Sequence, residues 1–337
     1  MIILGIETSC DETSAAILEK NDEQIILKAN IVASSFAMHS KTGGIIPENA
    51  AREQIKYIIP TVQKALAEAE LQLTDIDTIA VTYGPGLIGS LLVGVETAKT
   101  LAFVLNKPIV PVNHMIGHIY ANWIEHASEI TFPALALVVS GGHTDLLLLK
   151  KHGDLTLLGG TRDDAAGEAF DKIARLIGFP YPGGPAIEKE AKNGNSKRFN
   201  FPRPLIGSGD YDFSFSGLKT AVLREVKTLS SLDSQTVSDL CAAVQQAIIA
   251  VLIRKTIHAA QAYNVQSILL SGGVAANQTL RDTFEQTLKD KHLPIKLFAP
   301  SKNFCTDNGA MIAAAACYNY NQSPWEDITA NPELYFD

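Results

Sequence analysis

Cysteine is scarce and unpatterned. The chain has four, Cys10, Cys241, Cys305 and Cys317, with no C-x-x-C pair. That argues against a disulfide framework and predicts reduced thiols in a cytosolic setting. Long apolar runs are missing as well. No stretch reaches about 18 uninterrupted apolar residues, so no membrane span is expected. The opening, Met1-Ile2-Ile3-Leu4-Gly5-Ile6-Glu7, lacks a basic n-region and meets an acid too early for a secretory signal. Positive charge is in deficit: 28 Lys and Arg stand against 36 Asp and Glu, a net charge of −8. A general polyanion binder is usually basic, so any RNA contact must use a local patch or a partner.

What is present suits an ordinary globular protein of two domains, with 337 residues, 46% hydrophobic and 19% charged. The stretch Val112-Asn113-His114-Met115-Ile116-Gly117-His118 follows a β-rich segment, Pro108 to Val112. It opens an apolar helix expected to run to about Ile124. On a helix His114 and His118 leave one face a turn apart, close enough for two imidazoles to reach one metal ion. No Glu follows the first His, so the zinc-protease motif H-E-x-x-H is absent. A pair of histidines packed at a helix start is the plainer alternative.

Read in order, residues 2–7 are an apolar strand ending in a polar turn, Thr8 to Ser14, with strands at Ala15–Leu18 and Ile25–Val32. Asp11 and Glu12, at that tip, suit water or substrate orientation or proton transfer; a solvated acidic turn is the competing reading. A turn is expected at Gly43–Pro47. An amphipathic helix follows, about Glu48 to Glu70, with Ile55, Ile58, Ile59, Val62, Ala65 and Leu66 on its buried face. Strand Thr78–Thr82 then runs through a glycine turn, 84–89, into a helix from about Leu91 to Leu105.

The second half repeats this order. Strands at Ala134–Val139, Leu146–Lys150 and Leu155–Leu158 precede a helix at about Ala165–Ile177, a strand at Ser267–Leu270, another helix, and a strand at Ile295–Ala299. An Ala-rich helix ends near Tyr318. Two copies of βββαβαβα predict a duplicated ribonuclease-H-like α/β fold, that of the actin, Hsp70 and sugar-kinase superfamily. Its two domains would flank a nucleotide cleft. The expected division is 1–110 with 307–337, and 111–306 with an insertion at about 178–234. Within the insertion, Lys189, Lys192, Lys197, Arg198 and Arg203 lie near Phe199 and Phe201. They suit a phosphate-backbone contact or a merely solvated surface.

Ser140-Gly141-Gly142 and Ser271-Gly272-Gly273 occupy corresponding places after strands, where backbone N–H groups can meet a nucleotide phosphate. Asp171 and Glu188 fall on separate helices and suit ribose hydroxyls; surface charge explains them equally. Asp307, at the start of the last helix, is the natural third metal ligand, a helix cap, or both. Two His and a carboxylate suit Fe2+ or Zn2+.

Extended runs then carry a resemblance: Gly5-Ile6-Glu7-Thr8-Ser9-Cys10-Asp11-Glu12-Thr13, Gly84-Pro85-Gly86-Leu87, His114-x-x-x-His118, Val139-Ser140-Gly141-Gly142-His143-Thr144, Asp163 to Lys172, Tyr181-Pro182-Gly183-Gly184-Pro185, Ser214 to Lys219, and Gly272 to Asn277. Together they resemble the bacterial TsaD (Gcp) family, across essentially the whole chain and in family order. The resemblance implies transfer of a threonylcarbamoyl group from threonylcarbamoyl-adenylate to N6 of the adenosine 3′ of the tRNA anticodon. It implies a metal, usually iron, on His114, His118 and Asp307. It also implies an adenylate site lined by Val138, Val139, Ser140, Gly141, Gly142, Asp171, Gly184, Glu188 and Asn277. The implied partners are a TsaB-like paralogue and a TsaE-like ATPase.

Two positions depart from the family pattern. Ala51 and Gln54 stand where the family often has Ser and His, so no role of that His carries over. Glu188 stands where Asp is commoner. A metalloprotease would leave the glycine turns unexplained. A non-enzymatic partner subunit would lack the His pair and Asp307, and no sugar-site signature supports a kinase.

Overall fold

The computed structural model of the protein describes residues 1–21, 24–35, 46–229 and 231–336. Of the turn expected at 43–47, residues 43–45 lie outside the described residues. The chain divides into two compact units, Met1–Ile130 with Pro300–Asp337, and Thr131–Ala299.

The chain begins with β1 (Ile2–Glu7), β2 (Glu12–Lys20) and β3 (Ile25–Ser34), then α1 (Pro47–Glu68), β4 (Thr78–Gly84), α2 (Ile88–Leu105), β5 (Ile109–Asn113) and the short α3 (His114–Tyr120) and α4 (Trp123–His126). The second unit holds β6 (Ala134–Val139), β7 (Thr144–Lys151), β8 (Asp154–Gly160), α5 (Ala166–Leu176), α6 (Gly183–Ala191), α7 (Ser216–Thr228), α8 (Ser234–Ala262), β9 (Ser267–Ser271), α9 (Gln278–Asp290) and β10 (Lys296–Phe298). The chain then returns to the first unit with α10 (Lys302–Cys305) and α11 (Gly309–Tyr318).

Each unit is built on a five-stranded sheet, in the order β3-β2-β1-β4-β5 and β10-β9-β6-β7-β8. In both, the first three strands form an antiparallel meander and the last two add in parallel beside the first. The shared order is that of the duplicated ribonuclease-H-like fold. The central strands read as continuous apolar runs because helices cover them: β6 is buried along its whole length.

The division falls elsewhere than the sequence suggests. Residues 111–130 and 300–306 belong to the first unit. The reason is pairing: β5 lies parallel to β4, from Ile79↔Ile109 to Gly84↔Asn113, so the histidine helix after it stays with that sheet. The expected long helix from His114 is broken after Tyr120, and α4 starts only at Trp123. On α1 the buried face is Ala50, Gln54, Ile58, Thr61, Val62, Ala65 and Leu66, whereas Ile55 and Ile59 are 65% and 48% exposed. By length and composition α2 and α8 are apolar enough to cross a membrane. Of the apolar window of α8, 83% is buried, as in a core helix, and α2 packs on β4 and α1.

Candidate active site

The first unit gathers its polar groups at the ends of β1, β4 and β5. Asn113 caps α3, accepting from the N–H groups of Met115 and Ile116, and the helix then presents His114 and His118. Both are buried, with ring centroids 4.6 Å apart. Gly117 lets α3 lie on α11, since a Cβ there would stand 2.7 Å from Ile312 Cδ1. Asp307 precedes α11 and is not its cap. That role belongs to Asn308, whose side chain accepts from Met311 N. The Asp307 carboxylate faces the histidines, with Oδ1 3.3 Å from His118 Nε2 and 3.6 Å from His114 Nε2.

Those separations fit a shared cation. Ligand atoms about 2.0–2.2 Å from one ion, in tetrahedral to octahedral array, stand about 2.8–3.6 Å from each neighbouring ligand atom. One ligand atom from each of His114, His118 and Asp307 lies within 4.8 Å of the others. Behind them Glu7, wholly buried, places Oε2 3.1 Å from His114 Nδ1. Ser9 Oγ is 3.1 Å from the same nitrogen. A carboxylate only accepts, so Nδ1 donates toward Glu7 and Nε2 is the nitrogen that faces Asp307. Glu7 also accepts from Ser9 N and Thr82 Oγ1, which offsets the burial of its charge. Burial opposes a proton on His114, but Asp307 and Glu7 outweigh it and lift the imidazole to about 9. The field at this point favours positive charge.

Clearance at a backbone contact sets where Asp307 sits. A Cβ on Gly5 would lie 2.3 Å from Gly309 O, and one on Gly309 would lie 2.7 Å from Gly5 O. Gly309 N donates to Ser14 Oγ at 2.7 Å, tying the start of α11 to β2.

The loop after β1 is clamped by Gln54. This buried amide donates from Nε2 toward the carbonyls of Thr8, Cys10 and Glu12, at 3.3, 3.1 and 2.9 Å. Glu12 Oε1 accepts from Ser34 Oγ, while Oε2 is buried with no hydrogen-bond partner among the described residues. Burial raises this carboxyl to about 7, opposed by the Ser34 bond and helped by Asp11 and Asp307. A carboxyl poised there exchanges protons readily near neutral pH.

In the second unit Ser140 N donates to His143 O, and Ser140 Oγ accepts from His143 N, closing the turn. A Cβ on Gly141 or Gly142 would meet nothing within 4 Å, so their backbone faces open space. The start of α5 leans on this turn: Gly167 N donates to Ser140 O, and Ala166 N to Thr144 Oγ1. A glycine turn at a helix start, beside the parallel strands β6 and β9, offers N–H groups to an anion.

The comparisons with known proteins agree along the whole chain. A sequence profile described as TsaD, tRNA N6-adenosine threonylcarbamoyltransferase, matches residues 26–314. A protein of that name from Syntrophomonas wolfei is 49% identical over 330 residues, spanning 98% of this chain and 96% of its own length. Its counterpart in Bacillus subtilis is 47% identical over 345 residues, spanning 99% of this chain and 98% of its own. The chain belongs to the TsaD family. Among solved structures, HypF from T. kodakarensis matches with a TM-score of 0.64 at 13% identity, over 97% of this chain and 49% of that one. That likeness is one of fold.

Against the TsaD pattern, the residues expected at the adenylate site all fall in the second unit, but in different states. Val138 and Val139 are buried in the core and serve as frame. Asp171 Oδ1 accepts from Gly183 N at 2.6 Å, which fixes the turn carrying Gly184. Burial raises the Asp171 carboxyl, with the Gly183 and Gly184 amides opposing. Glu188 Oε1 accepts from Gln278 N at 2.8 Å. Asn277 is committed to capping α9 at Leu280 and donates to Gln245 Oε1. The basic segment of the insertion is partly spent internally: Arg198 pairs with Asp239 at 2.9 Å, and Phe201 is buried. Glu7, Ser9, Asn113 and Gln54 had no role assigned from sequence. A charged residue ending the apolar run 2–7 was the available signal for Glu7.

Proposed function

We propose that the chain transfers the threonylcarbamoyl group of threonylcarbamoyl-adenylate to N6 of the adenosine 3′ of the anticodon, in tRNAs reading codons that begin with A, releasing AMP. The observation that carries this reading is the convergence of His114, His118 and Asp307 in a chain matching the TsaD family end to end. These three residues would hold one divalent metal, Fe2+ by the family resemblance, with Zn2+ suited to the same donors. When bound, the metal supplies a Lewis acid that polarises the donor's carbonyl.

The chain's own residues do the rest. The donor is a mixed carbamic–phosphoric anhydride, so AMP leaves readily, while the adenine amine is a weak nucleophile. Position therefore matters most. The Ser140-Gly141-Gly142 backbone holds the phosphate, and Asp171, Gly184, Glu188 and Asn277 shape the adenosine site around it. Glu12, lifted to about 7, takes the proton that the amine loses, with Asp11 beside it raising that affinity.

A TsaB-like paralogue and a TsaE-like ATPase are the proposed partners, and the proposed location is the cytoplasm. In support of a protein partner, α1 and α2 pack together at Ala51 and Gly89 and leave Ile55, Ile59, Ile88 and Leu92 exposed.

The test is nucleoside mass spectrometry of unmodified tRNA incubated with this protein, its partners, and a synthase making the adenylate from threonine, bicarbonate and ATP. A threonylcarbamoyl-adenosine peak that requires this protein and falls in His114→Ala supports reaction and metal site together. A peak unchanged in the variant removes the metal role; no peak with active partners removes the reaction.

A further inference from the structure

The histidine helix is capped by a residue that is itself held by the end of the chain. Asn113 Oδ1 accepts from Met115 N at 2.9 Å and Ile116 N at 3.3 Å, which fixes the first turn of α3. The other end of the same carboxamide, Nδ2, donates to the carbonyl of Tyr335 at 3.0 Å, 222 positions later in the chain. A planar amide bonded through both its oxygen and its nitrogen is held in one orientation. Asn113 is buried, so little water competes for either bond.

Tyr335 reaches this position as the last part of a strap along the edge of the first sheet. Ser323 N donates to Ile109 O at 3.1 Å, and Ile328 and Ala330 are buried in the core. Beyond Ala330 the strap's backbone groups take part in hydrogen bonds to the rest of the first unit. Asn331 N donates to Tyr83 O at 2.7 Å, Gly86 N donates to Pro332 O at 3.3 Å, and the Tyr335 carbonyl takes the Asn113 amide. A Cβ on Gly84 would lie 2.0 Å from Asn331 O, so the strap occupies the space of a missing side chain.

We propose that residues 331–336 support the metal centre. The Tyr335 carbonyl orients Asn113, Asn113 sets the first turn of α3, and that turn aims His114 and His118. Asn113 is thus a positioning residue, acting on the ligands through the helix that carries them. The inference rests on the metal reading of the triad. Its consequence is that lifting the end of the chain lowers metal affinity without touching a ligand.

The test is a titration of the full chain with Co2+, followed by its absorbance, on four variants. These are a deletion of Leu334–Asp337, Asn113→Ser, the two combined, and Tyr335→Ala. Serine keeps a capping oxygen but does not reach the strap. Deletion and Asn113→Ser should each weaken Co2+ binding about five- to tenfold, on the scale of one lost hydrogen bond. The combination should lose no more than either alone, because both break one link. Tyr335→Ala keeps the carbonyl and should bind as the parent does. Thermal melts by circular dichroism establish that each variant is folded. If the deletion unfolds, Asn113→Ser against the parent decides. Unchanged affinity in a folded deletion or in Asn113→Ser, or losses that multiply in the combination, overturns the proposal. A parent chain that binds no Co2+ overturns the metal reading as well, which separates the two failures.

Discussion

Glu7 Oε2 stands 3.1 Å from His114 Nδ1, and the carboxylate is wholly buried. The proposed ligand His114 is thereby oriented from behind, and its basicity is raised. Glu7→Gln preserves the shape and removes the charge. Metal affinity should fall about 10- to 100-fold, as for loss of comparable partners behind ligand histidines. Competition titration with a chromophoric chelator measures it; an affinity equal to the parent's would remove Glu7 from the site.

Metal binding should depend steeply on pH. His114, lifted to about 9 by Asp307 and Glu7 against the cost of burial, holds a proton that a metal must displace. Apparent affinity should then rise about tenfold per pH unit below about 9 and level above it. In the metal-free chain the same proton stabilises the fold. That contribution is complete below pH 6.5 and is lost as pH rises through about 9. Isothermal titration in buffers of different ionisation enthalpy would count the proton released.

Glu12 acts in the same direction over a lower pH window. Its carboxyl moves from 4.5 to about 7 on burial, so the folded chain keeps a proton that the unfolded chain has released. Stability of the metal-free protein should fall as pH rises from 4.5 to about 7. Urea midpoints should be flatter with pH in Glu12→Gln, whose transfer rate should also lose its rise through neutral pH. A parallel slope in both proteins would rule this out.

Gln54→Leu should cost about 1–3 kcal/mol of stability, because it strips a donor from one buried and two part-buried carbonyls around Cys10. Transfer activity should fall further than stability does, since the same carbonyls belong to the loop carrying Glu12. Chemical denaturation read beside turnover separates the two effects.

Gly141→Ala should fold normally, because its Cβ would enter open space. If that space is where the adenylate phosphate approaches, KM for the adenylate should rise about tenfold, near 1.4 kcal/mol, with metal affinity unchanged. A parental KM would move the phosphate elsewhere.

Much of this was legible in the sequence for definite reasons. Repeated strand–turn–helix order reports the sheet plan, because covered central strands read as apolar runs and their ends as glycine turns. His114 and His118 announce themselves by spacing, and Asp307 by its place before the last helix. What escaped depends on contacts between distant segments. Ile55 and Ile59 keep helical periodicity yet face outward, since periodicity does not say which neighbouring stripe is covered. Asp307 and Asn308 are both good caps in sequence, and only the bond to Met311 N assigns that role to Asn308. Gln54 looked like the loss of a family His, whereas its amide finds three carbonyls on a loop more than forty residues earlier.

Gly5 and Gly309 offer the site no side chain at all, yet the place of Asp307, the proposed third ligand, depends on both. Their backbones touch where two methyl groups would otherwise stand, so the location of Asp307 is decided by steric vacancy rather than affinity. A methyl at either position would wedge α11 away from β1 and carry the carboxylate off the two nitrogens. In a substitution scan scored on metal retention, two residues with no side-chain donor or acceptor should rank beside the three proposed ligands.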